Sequence, residues 1–390
     1  MARISPGGSG KNPGFFLEPK RSREVVVKCC TFITYVSSIT MLMLLIILPA
    51  IFLFAVTALF TARFIRFAHK NDIIDRPNGR SSHTVPTPRG GGIGFAMFSL
   101  IGFVVAILYL GIVTTETMFF LLALTGIAVS GWFDDRYNLS RRLRFGVQSF
   151  FAVVMLFAFG SVSSIYVPGL ESVHVGYFGW LIGFLWITGL CNVYNFMDGI
   201  DGIASVQAII ASLGWLVMGI VLSNPLIIGL NLIIFSTVLA FLLFNWAPAK
   251  VFMGDAGSLF LGLFFAGMPF LASWISGQIT IGLALWFSFF LLFPFLLDGS
   301  YTILRRYFEG ENIFDAHRSH LYQRLNITGW SESRIVLMYG VMSLFGICLM
   351  LLFWHGSAWD KIFAAMVAFS LMGFVDLYVT RTEVAAEKHA

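Results

Sequence analysis

The chain has 390 residues, 58% of them hydrophobic and only 12% charged, with a net charge of +5 and a mean hydropathy of +0.84. A soluble domain carries about 25% charged residues, so an ordinary globular enzyme is excluded. A transmembrane β-barrel is excluded too, because its strands alternate over about ten residues and the apolar runs here are longer and unbroken. What remains is an all-α, polytopic transmembrane helical bundle. The four cysteines (Cys29, Cys30, Cys191 and Cys348) form no Cys-x-x-Cys pair and imply neither a zinc site nor a disulfide framework.

In chain order, residues 1–40 hold six Lys and Arg and read as an N-terminal extension, with the functional chain beginning at Met41. Residues 41–380 form the membrane domain and 381–390 a tail. Eleven spans are predicted, near 43–63, 91–113, 117–133, 145–160, 177–194, 203–222, 225–244, 258–275, 280–297, 335–354 and 361–379. Between the first two lies Asp75-Arg-Pro77-Asn-Gly-Arg80-Ser-Ser-His83-Thr-Val-Pro86-Thr87-Pro88-Arg89-Gly90-Gly91-Gly92. It is either a cradle for an anionic head group or simply a basic loop.

The third span ends on Asp134-Asp135, with Arg141, Arg142 and Arg144 close behind. Adjacent carboxylates repel, so a cation between them or Asp–Arg pairing is expected. The fifth span ends on Asn195-Phe-Met-Asp198-Gly-Ile-Asp201-Gly202, where Asp198 and Asp201 share a face if the helix continues. Asn245 to Ser258 joins the seventh and eighth spans and contains Lys250, Phe252 and Asp255. Asp255 suits a hard cation or a helix cap, Lys250 a phosphate, and Phe252 a base or the membrane edge. Before the tenth span come Asp315, His317-Arg318-Ser-His320 and Arg324, which suit pyrophosphate contact better than a metal.

The connections numbered odd, with the C-terminal tail, hold 18 of the 25 Lys and Arg, against Lys361 alone in the even ones. The positive-inside rule makes the odd connections cytoplasmic. Nine of the eleven Asp lie on that side. Acids contribute little to topology, so their clustering predicts chemistry at the cytoplasmic face.

These motifs, in this order over residues 42–380, resemble the polyprenyl-phosphate N-acetylhexosamine-1-phosphate transferases. That superfamily includes the bacterial O-antigen and glycan initiators and phospho-muramoyl-pentapeptide translocase. The resemblance implies transfer of a sugar-1-phosphate from a UDP-N-acetylhexosamine to undecaprenyl phosphate, with release of UMP and a need for Mg²⁺ (Mn²⁺ as an alternative ion). It makes Asp134, Asp135 and Asp255 catalytic and Asp255 the metal ligand. Asp198, Asp201, Asn245 and Phe252 would line the uridine pocket, and Asn195 would belong to the nucleotide-sugar site. Lys250, His317, Arg318 and His320 would face pyrophosphate or sugar, and Thr87 would lie at the nucleotide-sugar edge. The implied setting is the bacterial inner membrane, without nucleic acid and compatible with a homodimer. His-Arg-Ser-His departs from the histidine-richer motif of GlcNAc-using relatives. GlcNAc and 6-deoxy-N-acetylhexosamines therefore rank level, with the muramoyl-pentapeptide behind. A transporter is the reading from another class, but no mid-span acid or inverted repeat speaks for it.

Overall fold

Apolar runs of this length have one way to satisfy their backbone in lipid, which is to become helical. A computed structural model describes residues 47–77, 85–170, 172–312 and 318–387. From Ala50 onward they belong to one compact unit, Ala50–Ala390. The N-terminal extension, Arg80, His83, Asp315 and His317 lie outside the described residues.

The long helices are α1 (Ile47–Lys70), α2 (Gly92–Leu110), α3 (Thr115–Tyr137), α4 (Arg141–Phe159), α5 (Phe178–Phe196), α6 (Ile203–Val221), α7 (Pro225–Asn245), α8 (Gly254–Ser276) and α9 (Ile281–Phe308). A short α10 (Leu321–Ile327) precedes α11 (Glu332–His355) and α12 (Ala358–Glu387). Every predicted span falls on one of these helices. Among the described residues, ten helices are long and apolar enough to cross a membrane. The remaining long helix, α5, carries the polar amides of Asn192 and Asn195. Two small antiparallel ribbons complete the fold: β1 (Ile74–Asp75) with β2 (Thr87–Pro88), and β3 (Ser164–Tyr166) with β4 (Ser172–His174).

Helix α8 is the hub. Every residue from Gly254 to Ala272 is buried, as expected of a helix apolar on all sides. It packs against α2, α3, α5 and α9. Lipid gives no hydrophobic reward for helix association, so small residues and polar side chains set the packing. A Cβ added to Gly92 would lie 2.6 Å from the Gly257 Cα, and one on Gly131 would collide with the Asp255 carbonyl. The starts of α2 and α8 and the end of α3 therefore meet backbone to backbone. Polar ties brace the rest: Ser99 with Thr237 at 2.8 Å, Asn192 Nδ2 donating to Gln148 at 2.7 Å, and Gln207 Nε2 to the Leu291 carbonyl at 2.7 Å.

Candidate active site

The meeting of α2, α3 and α8 decides where the acids go. The Pro88–Gly92 segment is stitched to the start of α8. Phe252 N–H donates to the Pro88 carbonyl at 2.8 Å, and Gly91 and Gly92 N–H donate to Phe252 and Met253 at 3.0 and 2.9 Å. This stitching brings Arg89, on the chain entering α2, beside the carboxylates of α3 and α8.

Asp134 and Asp135 are adjacent in sequence but do different things. Asp135 caps a helix other than its own. Its Oδ1 accepts from Asp255 N–H at 2.9 Å and its Oδ2 from Ala256 N–H at 3.1 Å, two of the orphan donors that open α8. Gly254, at φ +73°, makes room: a Cβ there would sit 2.5 Å from Asp135 Oδ2. Arg89 Nε completes the environment with a bond of 2.9 Å to Asp135 Oδ1. Asp134 instead closes its own helix end, accepting from Leu139 N–H at 2.8 Å, and its Oδ2 lies 2.5 Å from Arg144 Nε. That oxygen is buried and makes no well-directed hydrogen bond. The expected repulsion is thus relieved by turning the two carboxylates toward different arginines.

Asp255 stands between the arginines, in the first turn of α8. The predicted span begins at 258; the helix begins four residues earlier because Asp135 supplies its cap from outside. Asp255 Oδ1 accepts from Asn195 Nδ2 at 2.9 Å and lies 3.4 Å from Arg89 Nη2, while Oδ2 lies 3.9 Å from Arg144 Nη1. Asn195 also donates to Ser258 Oγ at 2.8 Å. Three acids and two guanidiniums therefore form one cluster, with both arginines about a third exposed. Burial alone would lower the Arg89 pKa, but Asp135, Asp255 and Asp75 reverse that and raise it, so the guanidinium stays charged.

Asp198 and Asp201 lie in the turn between α5 and α6, so they do not share a helix face as a continuing helix would have arranged. Asp198 is half-buried, and its pKa is pushed well above the carboxylate range by burial and then by Asp255, Asp135 and Asp201, with Arg89 opposing. Asp201 Oδ2 accepts from Ala249 N–H at 2.7 Å, and its own N–H donates to Glu332 at 3.2 Å, latching the α7–α8 connection. Asn245 is buried, with both ends of its amide engaged: it accepts from Ser205 at 2.8 Å and donates to the Val251 carbonyl at 3.0 Å. Thr87 is buried and donates to Val85 at 2.9 Å. Asn245 and Thr87 therefore serve as struts in this structure. Lys250 is exposed, Phe252 and Arg318 are half-buried, and His320 is buried.

The sequence placed Arg89 in a candidate anion cradle and Arg144 among arginines that could pair with Asp134 and Asp135, but put neither in the catalytic or substrate-binding set. Their signal was present, an arginine beside Gly90-Gly91-Gly92 and another ten residues after Asp134. Among the described residues, no three His, Cys, Asp or Glu are arranged as a ready metal cage. Magnesium does not require one, since it is commonly held by one or two carboxylates plus substrate phosphate. Asp255, whose arginine contacts are long, and the Asp134 oxygen without a directed hydrogen bond fit that mode.

A membrane bundle with acids and arginines gathered at one helix start is the frame of an enzyme acting on an anionic substrate. The glycosyl transferase family 4 profile matches residues 117–273. The chain is 31% identical over 335 residues to a probable undecaprenyl-phosphate N-acetylglucosaminyl 1-phosphate transferase of Bacillus subtilis, covering 83% of this chain and 88% of the relative. It is 26% identical over 330 residues to the phospho-N-acetylmuramoyl-pentapeptide-transferase of Lactobacillus gasseri, covering 79% and 98%. To the protein of that name from Lactococcus lactis it is 27% identical over 332 residues, covering 78% and 97%. The chain belongs to glycosyl transferase family 4, within the polyprenyl-phosphate N-acetylhexosamine-1-phosphate transferase superfamily.

Proposed function

We propose that this protein moves an N-acetylhexosamine-1-phosphate from its UDP-sugar to undecaprenyl phosphate at the cytoplasmic face of a bacterial inner membrane, releasing UMP. The product would prime O-antigen or another cell-envelope polysaccharide. The supporting observation is the clasp of Asp134, Asp135 and Asp255 by Arg89 and Arg144 at the start of α8.

An oxygen of the lipid phosphate bonds to the β-phosphorus of the nucleotide sugar. The bond from that phosphorus to the bridging oxygen breaks, and the bridging oxygen leaves with UMP. Little covalent work falls to the protein, so positioning and charge neutralisation dominate. A phosphate monoester has a second pKa of about 6, so its attacking oxygen needs no strong base at neutral pH. Asp134 accordingly orients the lipid phosphate, with Arg144 beside it. Asp135 acts through structure, holding the first turn of α8 and Arg89 in place. Arg89, half released from Asp255, meets the pyrophosphate bidentately. Asp198, Asn195 and Phe252 take the uridine, with Asp201 and Asn245 bracing that pocket and Thr87 bracing its edge. Lys250, His317, Arg318 and His320 take pyrophosphate and sugar. Asp255 would hold a divalent cation, Mg²⁺ or Mn²⁺, which when bound would supply Lewis-acid stabilisation of the leaving phosphate.

A single displacement is the preferred course, and trapping a phosphorylated Asp134 or Asp255 during turnover would contradict it. The Bacillus relative's name favours GlcNAc over a 6-deoxy-hexosamine, while the Lactobacillus and Lactococcus relatives make the muramoyl-pentapeptide the second reading. The test is a side-by-side assay of UDP-GlcNAc, UDP-N-acetylquinovosamine and UDP-MurNAc-pentapeptide with undecaprenyl phosphate, reading the mass of the lipid product. One sugar gives a product far faster than the others if the reading holds; no product from any of them refutes it.

A further inference from the structure

Asp298 belongs to no motif assigned above, yet it is closely engaged. It lies on α9 and is wholly buried. Its Oδ1 accepts from Leu321 N–H at 2.8 Å and from Thr302 Oγ1 at 3.2 Å, and lies 3.4 Å from His320 Nδ1. Its Oδ2 accepts from Tyr339 Oη at 2.6 Å and from Tyr322 N–H at 3.3 Å. One carboxylate thereby ties α9, the entry to α10 and α11 together. A buried carboxylate so costly to desolvate would be an expensive way merely to cap a seven-residue helix.

The segment it holds is the one facing the nucleotide motif. Tyr322 Oη donates to the Phe196 carbonyl at 3.1 Å, and a Cβ on Gly199 would collide with that hydroxyl. The chain from His320 to Tyr322 is thus seated on the Asn195–Gly202 turn that carries Asp198. The His320 ring lies nearly parallel to that of Tyr322, with centroids 5.8 Å apart. The Asp298 carboxylate stands 3.4 Å from Nδ1 at ion-pair distance, and its two bonds to the N–H groups that follow His320 fix where the ring is rooted.

We infer that Asp298 is the positioning residue of His320: it anchors the chain through the two N–H groups that follow His320 and sets its charge 3.4 Å from Nδ1, so that the ring is presented to the pyrophosphate–sugar part of the substrate. This rests on the reading of His320 as a substrate contact. Asp298 itself touches no substrate.

The experiment is a double-mutant cycle of Asp298→Asn and His320→Ala in purified protein. It reads UMP release and, separately, UDP affinity, with melting temperature in detergent as the check on folding. Partners that orient a functional imidazole in this way are commonly worth about 10–100-fold. Asp298→Asn alone is expected to lower kcat/KM by about that factor, and to have less than about a twofold effect when His320 is already Ala. Equal losses in both backgrounds would make Asp298 a purely structural residue and overturn the inference. Should Asp298→Asn fail to accumulate, Tyr339→Phe removes one donor and keeps the carboxylate. Its smaller loss must likewise vanish in the His320→Ala background, and its persistence there overturns the inference. A wild-type protein inactive with every UDP-sugar would instead refute the function, an outcome distinct from equal losses by an active enzyme.

Discussion

Two groups of carboxylates in this bundle solve the problem of a charge near lipid in opposite ways. At the start of α8, Asp134 and Asp255 face guanidiniums that are about a third exposed, at distances from 2.5 to 3.9 Å. In the α9–α10–α11 knot, Asp298 is sealed from solvent and surrounded by two main-chain N–H groups, two hydroxyls and one imidazole. The guanidiniums are about a third exposed and reach Asp255 only at 3.4 to 3.9 Å, so they can turn toward a phosphate, whose oxygens offer an arginine a charge-assisted partner as good as a carboxylate. A carboxylate met by short, buried, directed bonds cannot exchange partners without leaving them unpaired. The first arrangement suits a site that must open for a ligand, and the second suits a scaffold that must not move. Asp135 sits in the first group by sequence and in the second by structure, since its two oxygens cap α8.

The largest effects should come from breaking the exchangeable cluster. Asp255→Asn and Asp134→Asn are each expected to lower UMP release by at least about 10³-fold, with insertion and melting temperature nearly unchanged. A residual rate within tenfold of wild type would remove that residue from the chemistry. Next is Gly131→Ala. Its methyl would collide with the Asp255 carbonyl and push α3 off α8, costing about 1–3 kcal/mol as overpacking does and lowering activity with stability. A melting temperature equal to wild type would show that the backbones are not in contact.

Arg89→Gln and Arg144→Gln should separate the two arginines. Arg89 guards Asp135, which caps α8, whereas Arg144 guards Asp134, equally buried but closing only its own helix end. Both losses are expected to lower rate and stability, with the larger fall in melting temperature for Arg89→Gln and a rate loss of about 10–100-fold for Arg144→Gln. Equal melting temperatures for the two variants would erase that distinction.

The smallest effect concerns Asp198. Its pKa in the folded chain is raised by burial and by Asp255, Asp135 and Asp201. In the window from the ordinary carboxylate value upward, the folded state therefore binds more protons than the unfolded state, and stability falls as pH rises. Asp198→Asn should flatten that fall in melting temperature measured without divalent cation, and an unchanged slope would mean Asp198 ionises freely.

Much of this was legible in the sequence because membrane helices announce themselves locally: each predicted span overlaps a helix, and Asp134, Asp135 and Asp255, singled out by their motifs, come together at the start of α8. Partnerships across distance were not legible. Nothing within a few residues of Asp135 shows that it caps a helix 120 positions later, and nothing near Asp298 points to Tyr339 on another helix. The internal partners of Asn245 and Thr87 were hidden for the same reason, since Ser205 and, for Thr87, the Val85 carbonyl become their neighbours only in the fold.

The most direct test of the central claim is to follow UMP and lipid-linked sugar together in purified protein, with undecaprenyl phosphate present or withheld. The account predicts the two products in a 1:1 ratio, both dependent on the lipid and on a divalent cation and both lost in Asp255→Asn. UMP formed without the lipid acceptor, or no UMP from folded protein with any UDP-N-acetylhexosamine, would contradict it.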